Sequence, residues 1–400
     1  MKKHEKSIIP VLLGGDLNAY SVALAAREAC EAVSHAFVRY KCGATENSGF
    51  IKTHIVSGID NINVAVPELL KFAAEHTCAE LFLIPCADWY VELLQNVRGA
   101  LSGLYHINIP DKYLWRRLSD KCGFYSLVEE HGITYPEYVA FSPGEEIAES
   151  KLHAISYPAV LKPSDSTEYW RIPFPDMHKV YFPKNAGEAH GLINRIFESG
   201  YKGMVILQKK VGNKDSNRVL TTYSDSRGRV VRAVYGDVIL EELGKTSYGN
   251  HSAIITLPLD KICFELIDFL NAIAYTGIAN FDILTDGSHK YVLEINTRQG
   301  RSCDYLRCAG VNIFELLMKD AFSESIAPDF SYREIYWHYP PHKTVMRYAD
   351  TQAAQAADRL YKSGKSRTPY TNGYEGIVRR TYVAIHNMRL ASTIKRNYPG

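Results

Sequence analysis

No stretch of this 400-residue chain approaches the ~20 consecutive apolar residues that a bilayer-spanning helix requires. The opening segment MKKHEKSIIPVLLGGD has a charged start, but its apolar part is too short and interrupted for a secretory leader. Eight cysteines (Cys30, Cys42, Cys78, Cys86, Cys122, Cys263, Cys303 and Cys308) include no CxxC pair and no zinc-ligand spacing. Scattered thiols without an export signal imply a reducing, cytoplasmic setting. A charge excess is lacking too: 46 basic groups face 44 acidic ones, which argues against a general nucleic-acid binder. No internal repeat or low-complexity tract is present. What remains is the composition of an ordinary globular protein, 46% hydrophobic and 22% charged, too long for one compact core. Two or three domains are expected.

The first 110 residues alternate strand and helix as an α/β layer does. SIIPVLLGG reads as a buried strand, NAYSVALAAREACEA as a helix, and ELFLIPC as a second strand ending at Asp88 and Trp89. The GGDLN turn lacks the third glycine of a dinucleotide fingerprint. It is either a tight turn closing the strand or a substrate-binding turn at the strand's carboxyl end. Residues 111–131 have helical period throughout and stop at Gly132, with Pro136 starting an extended segment. YPAVLKP is a strand closing on Lys162 and Pro163; a helix capped by Asn185 and Glu188 runs to Gly200, and MVILQKKVG is the next strand. From 217 onward short strands alternate, with a hairpin turn at Ser226, Arg227 and Gly228. A helix at 262–274 stops at Gly277, and TDGSH joins the strands IANFDIL and KYVLEIN. The expected organisation is an α/β domain over 1–110, a linker helix region over 111–150, a small α+β module over 151–212, a larger α+β unit over 213–330, and a basic appendage over 331–400. Within that appendage eight basic residues between 361 and 400 face one acid, Glu375. The tail is a solvated segment, or a surface drawn to anionic substrates or to a membrane.

The chemistry concentrates in LEINTRQGRS. Alternation along a strand puts Glu294 and Asn296 on one face, and simple hairpin register sets Asp282 opposite. Hard oxygen donors without histidine or thiol favour magnesium or manganese over zinc. Arg298 and Arg301 follow at once, suited to clamping a transferring phosphoryl group or a carboxylate by paired hydrogen bonds. Metal face and arginines together imply phosphoryl transfer.

Asp282…Glu294-Ile295-Asn296-Thr297-Arg298, preceded by a Lys121 helix and a Lys162-Pro163 strand, resembles the ATP-grasp ligases over most of residues 5–320. The resemblance implies an ATP-grasp fold: an N-terminal Rossmann-like (pre-ATP-grasp) domain, a lid subdomain and a central ATP-grasp domain. More narrowly, IIPVLLGGDLNAYSVA, KCGFYSLVEEHGITYP, AVLKPSDSTEYW and FDIL…LEINTRQGRS are similar to the D-aspartate ligases of peptidoglycan cross-bridge synthesis. Those enzymes use ATP and a divalent ion to attach the β-carboxylate of D-aspartate to the ε-amino group of a lysine in the UDP-MurNAc-pentapeptide. Carried over, the resemblance gives Lys121 and Lys162 to the phosphates, and Gln208, Lys209, Lys210 and Val211 to the adenine edge. Asp215 falls to the ribose hydroxyls, or is a plain turn residue. Asp282, Glu294 and Asn296 fall to magnesium, Arg298 to developing negative charge, and Arg301 to the donor's other carboxylate. One departure is that SDSTEY replaces a glycine-rich phosphate loop, leaving backbone amides and the Ser164, Ser166 and Thr167 hydroxyls to assist. Glu168 and Tyr169 match the narrower pattern. His251 is a candidate general base, or a structural histidine. The alternatives are a ligase for another amino acid or small carboxylate, a non-catalytic nucleotide-binding protein, and, last, an NAD-dependent dehydrogenase.

Overall fold

The computed structural model describes residues 6–212, 217–245, 247–370 and 373–398. The chain opens with β1 (Ser7–Leu13), α1 (Leu17–Cys30), β2 (Ser34–Val38), β3 (Ile51–Ile55), α2 (Ile62–Glu75), β4 (Ala79–Pro85) and α3 (Asp88–Leu101). Its four strands pair in parallel in the order β3-β2-β1-β4. Alternation along β1 divides the packing: Leu12 joins the core that contains α1, while Val11 and Leu13 join the core formed with α2 and α3. The carboxyl ends of β1 and β4 deliver Asp16 and Asp88 to the same edge of the sheet.

Residues 111–131 form two helices, α4 (Lys112–Ser119) and α5 (Lys121–Glu130), instead of the single expected one. Asp120 divides them. Its backbone is extended, and its side chain accepts the Gly123 amide as the N-cap of α5. Helical periodicity survives such a break because both segments pack an apolar face on the same core.

The small module contains β5 (Tyr138–Phe141), α6 (Glu149–His153), β6 (Ala159–Pro163), α7 (Ser166–Trp170), α8 (Ala186–Glu198) and β7 (Val205–Lys209). Its sheet has the order β5-β7-β6, so it draws one strand from before residue 151. Asn185 caps α8 through the Glu188 amide, while the Glu188 carboxylate reaches the Lys184 amide rather than that of Asn185.

The large sheet is built from β8 (Asn217–Ser224), β9 (Val230–Glu241) and β10 (His251–Leu257), then, after α9 (Lys261–Ala272), β11 (Gly277–Thr285) and β12 (Lys290–Asn296). α9 closes at Ala274, which adopts a left-handed φ of 50°, and Gly277 opens β11 rather than ending the helix. Two helices follow, α10 (Asp304–Cys308) and α11 (Ile313–Ala321), and then β13 (Tyr336–His338), α12 (His342–Tyr348), α13 (Thr351–Lys362), β14 (Ser366–Arg367) and α14 (Ile377–Asn397). The seven strands are ordered β12-β11-β8-β9-β10-β13-β14. Residues 331–400 are therefore no appendage, since β13 pairs with β10 and extends the central sheet. Short strands rich in Tyr, Trp and His carry no alternation long enough to show this in sequence.

Candidate functional site

β11 and β12 pair so that Asp282 stands directly opposite Glu294 and Asn280 opposite Asn296. The expected common face exists, and the register is finer than expected. A bulge after Asp282 leaves Leu293 as the extra residue, and its carbonyl accepts the Tyr125 hydroxyl at 2.9 Å.

Asp282 and Glu294 line two adjoining cavities. The first, about 410 Å³, lies between the small module and the large sheet. It is lined by Lys121, Lys162, Ser166, Gln208, Lys209, Lys210 and Val211, among others. Lys121 and Lys162 are each only 7% exposed. Lys121 Nζ donates to Ser166 Oγ at 3.2 Å and pairs with Glu294 Oε2 at 3.2 Å. Burial, reinforced by the neighbouring Lys121 cation, lowers the Lys162 ammonium to about 7. The Gln208 amide oxygen accepts the Tyr125 hydroxyl at 3.3 Å.

Two expectations for this cavity fail. The Ser164 hydroxyl is engaged by the Asp120 carboxylate and does not line the cavity. The amides of Thr167 and Glu168 both close on Asp165 Oδ1, the cap of α7, so they form no phosphate cradle. In both cases a nearby aspartate supplies the oxygen that phosphate was expected to provide. Glu168 stands in the first turn of α7, and the Tyr169 ring is buried with its hydroxyl bonded to the His178 carbonyl and Tyr181. Asp215 lies outside the described residues.

The second cavity, about 190 Å³, is enclosed by the N-terminal sheet edge and the segment after β12. Asn296, Arg298 and Arg301 line it, together with Asp16, Asp88 and His251. Arg298 donates to Asp88 Oδ2 at 2.8 Å and to Asn296 Oδ1 at 3.4 Å. Its Nε has no hydrogen-bond partner among the described residues. Arg301 pairs with Glu242 Oε1 at 3.1 Å and lies over the Tyr339 ring. His251 Nε2 is 3.6 Å from Asp282 Oδ1, and burial lowers its imidazole to about 4, so it stays neutral at neutral pH.

The facing carboxylates titrate in opposite directions. Burial and then the Glu294 charge push Asp282 well above the usual carboxylate range. Burial also opposes ionisation of Glu294, but Lys121, Lys179 and Lys162 together hold it below that range. Lys179 was missed in the sequence. It lines both cavities, with Nζ bonded to the Tyr248 carbonyl at 3.2 Å. It precedes a two-residue bridge, Leu161 with Tyr181, too short to mark a strand. Asp16 was passed over because only its turn, not its side chain, drew notice.

A divalent ion fits the donor set only in part from protein. Among the described residues no group of three or more His, Cys, Asp and Glu converges as a metal site. Two facing carboxylates at the junction of a large cavity and a smaller one, with an amide oxygen beyond, suit a hard cation completed by phosphate oxygens.

No protein-family model matches the chain. A D-aspartate ligase of Enterococcus faecium is 29% identical over 377 residues, which cover 90% of this chain and 89% of that protein. The biotin carboxylase domain of Hydrogenobacter thermophilus 2-oxoglutarate carboxylase, solved with MgADP and bicarbonate, superposes with a TM-score of 0.63 at 15% identity. That match covers 83% of this chain and 74% of the other. N5-carboxyaminoimidazole synthetase of Staphylococcus aureus, solved with ADP, gives 0.62 at 12% identity over 89% and 88% of the two chains. The chain has the ATP-grasp fold of these neighbours. The larger cavity lies where the small module and the central sheet meet.

Proposed function

We propose that this protein is a ligase that activates the β-carboxylate of D-aspartate with ATP and joins it to the ε-amino group of lysine in the UDP-MurNAc-pentapeptide, releasing ADP and phosphate. The observation that carries this reading is the charge arrangement of the smaller cavity. It places two guanidiniums, Arg298 held by Asp88 and Arg301 held by Glu242, and the Asp16 carboxylate beside the Asp282–Glu294 pair. A donor with two carboxylates and one ammonium is complementary to that set. The Enterococcus relative, named for this donor, supports the choice.

ATP enters the larger cavity, its adenine edge along Gln208–Val211 and its phosphates toward Lys121, Lys162 and Lys179. Asp282, Glu294 and Asn296 would hold magnesium, which neutralises phosphate charge when bound. Lys121, now paired with Glu294, stands where that ion's charge would act. The donor's β-carboxylate oxygen attacks the γ-phosphorus, ADP leaves, and an acyl phosphate remains. The free Nε of Arg298 gives it a donor for the charge developing on the transferring group. Arg301 receives the α-carboxylate. Asp16 receives the ammonium: one of its oxygens caps α1 through the Asn18 and Ala19 amides, and Arg301 and Arg298 act on its charge from nearby without a salt bridge to it among the described residues. The acceptor amine, once deprotonated, attacks the acyl carbon and phosphate leaves. Neutral His251 beside Asp282 is the candidate for the proton. A lid contact, Arg171 with Glu92 on α3, closes this space against water that would hydrolyse the acyl phosphate.

The test is ADP release with Mg-ATP and the pentapeptide precursor across D- and L-aspartate, D-glutamate and D-asparagine. D-Aspartate alone should support turnover, and turnover with another donor but not this one rejects the assignment. Asp16→Asn should raise the KM for D-aspartate at least tenfold while leaving the KM for ATP unchanged. A shift in both KM values would remove Asp16 from the donor subsite.

A further inference from the structure

α14 is a 21-residue helix, Ile377–Asn397, without one acidic residue. At about 100° per residue, Ile377, Ile385 and Met388 fall on one side of it, with Val378 at the margin. Their exposures are large for apolar side chains: 82% for Ile377, 69% for Val378, 43% for Ile385 and 65% for Met388. Arg380 borders this stripe on one edge and Arg389 on the other, both exposed. Lys395 and Arg396 continue the basic character through the last turn. The opposite side is anchored to the body of the protein. Arg379 is 1% exposed and bonded to the carbonyls of Gly43 and Glu46, and Ile394 is 3% exposed within the apolar cluster shared with β10 and β13.

Scattered exposed apolar residues need no explanation, but four on one side of a docked helix, with only Thr381 and Ser392 among them and arginines at both edges, do. We propose that α14 is a docking surface for an anionic lipid bilayer. An apolar stripe between cationic borders is what the boundary between headgroups and acyl chains receives from a helix lying in its plane. Charge complementarity selects lipid bearing net negative charge, since α14 meets it with cations alone. A nucleic acid would instead match cations along the whole face, whereas here Ile377, Thr381, Ile385 and Met388 occupy its first three turns and the cations in line with them, Lys395 and Arg396, come only in the last turn. The helix lies on the bilayer and does not cross it, for among the described residues no helix is long and apolar enough to span. Length agrees: 21 residues laid flat reach roughly 30 Å. The inference is independent of the donor assignment.

Sedimentation of the full chain with vesicles tests it. Vesicles of phosphatidylglycerol mixed into phosphatidylcholine should carry the protein down at near-physiological salt, and vesicles of phosphatidylcholine alone should not. Arg380→Glu with Arg389→Glu should weaken that binding by roughly thirtyfold or more. Ile385→Ser with Met388→Ser should weaken it as clearly, because the stripe as well as the charge is required. ADP release and thermal unfolding of both double variants should match the parent. A parent chain that stays in the supernatant with the anionic vesicles overturns the proposal. So does an Ile385→Ser, Met388→Ser variant that binds as well as the parent, or a DNA duplex that binds the parent as tightly as the vesicles do.

Discussion

Lys162 occupies a position where a lysine pays heavily for its charge. It is enclosed, it has Lys121 and Lys179 as neighbours, and its ammonium is lowered to about 7. A bound phosphate reverses that balance by supplying the missing anion. Nucleotide binding above pH 7 should therefore take up a proton, because a group neutral in the free protein becomes charged in the complex. Calorimetry in buffers of different ionisation enthalpy reads this directly, and equal heats at pH 8 would contradict it. Lys162→Ala should weaken ATP binding at least tenfold and leave the KM for the amino-acid donor unchanged. Glu294→Ala should abolish ADP release with the fold intact by circular dichroism; near-parental release would remove Glu294 from the phosphate end of the site.

The elements carry this arrangement through short-range devices. Asp120 is the clearest, since one carboxylate ends the 111–131 helical run, caps α5 and takes the Ser164 hydroxyl. That single residue fixes Lys121 at the first position of α5, where it lines the larger cavity. Asp120→Ala should cost about 1 kcal/mol of stability for the cap alone, measured by urea unfolding. It should also raise the KM for ATP, whereas a loss of stability without that change would separate the cap from the site. Much of this scale was legible beforehand. The strands around Asp282 and Glu294 alternate cleanly, and the hairpin register follows from their turn. The division of 111–131 was not legible, because periodicity reports the buried face and is blind to one extended residue between two helices. Ser164 was misjudged for a related reason: a hydroxyl after a strand is available to any acid that the fold brings to it.

Across the whole molecule, the C-terminal region closes the structure onto its beginning. Arg379 holds the backbone around residues 43–46, lies 5.0 Å from the centroid of the Tyr20 ring, and faces Glu375 at 3.8 Å. Glu375 in turn accepts the Tyr20 hydroxyl at 2.8 Å. Arg379→Met should destabilise the protein by about 3 kcal/mol or more, because it leaves the buried Glu375 charge without a cation and the carbonyls of Gly43, Ala44 and Glu46 without their guanidinium donors. Chemical denaturation would show this, and a loss below about 1 kcal/mol would place Arg379 among ordinary surface charges. Composition alone gave no means of separating Arg379 from the exposed Arg380 beside it.

Local pattern was enough to determine the strand pair that brings Asp282 opposite Glu294, the arginines after it and the order of the α/β and α+β units. Each depends on alternation, turn chemistry or motif spacing, which are properties of neighbours in the chain. Tertiary structure alone decided that Asp16, Asp88 and Lys179 join that pair, that Ser164 turns away, and that the basic tail is half anchor and half open surface. Those outcomes depend on which distant groups meet, and a buried side chain is assigned by the partner that reaches it first.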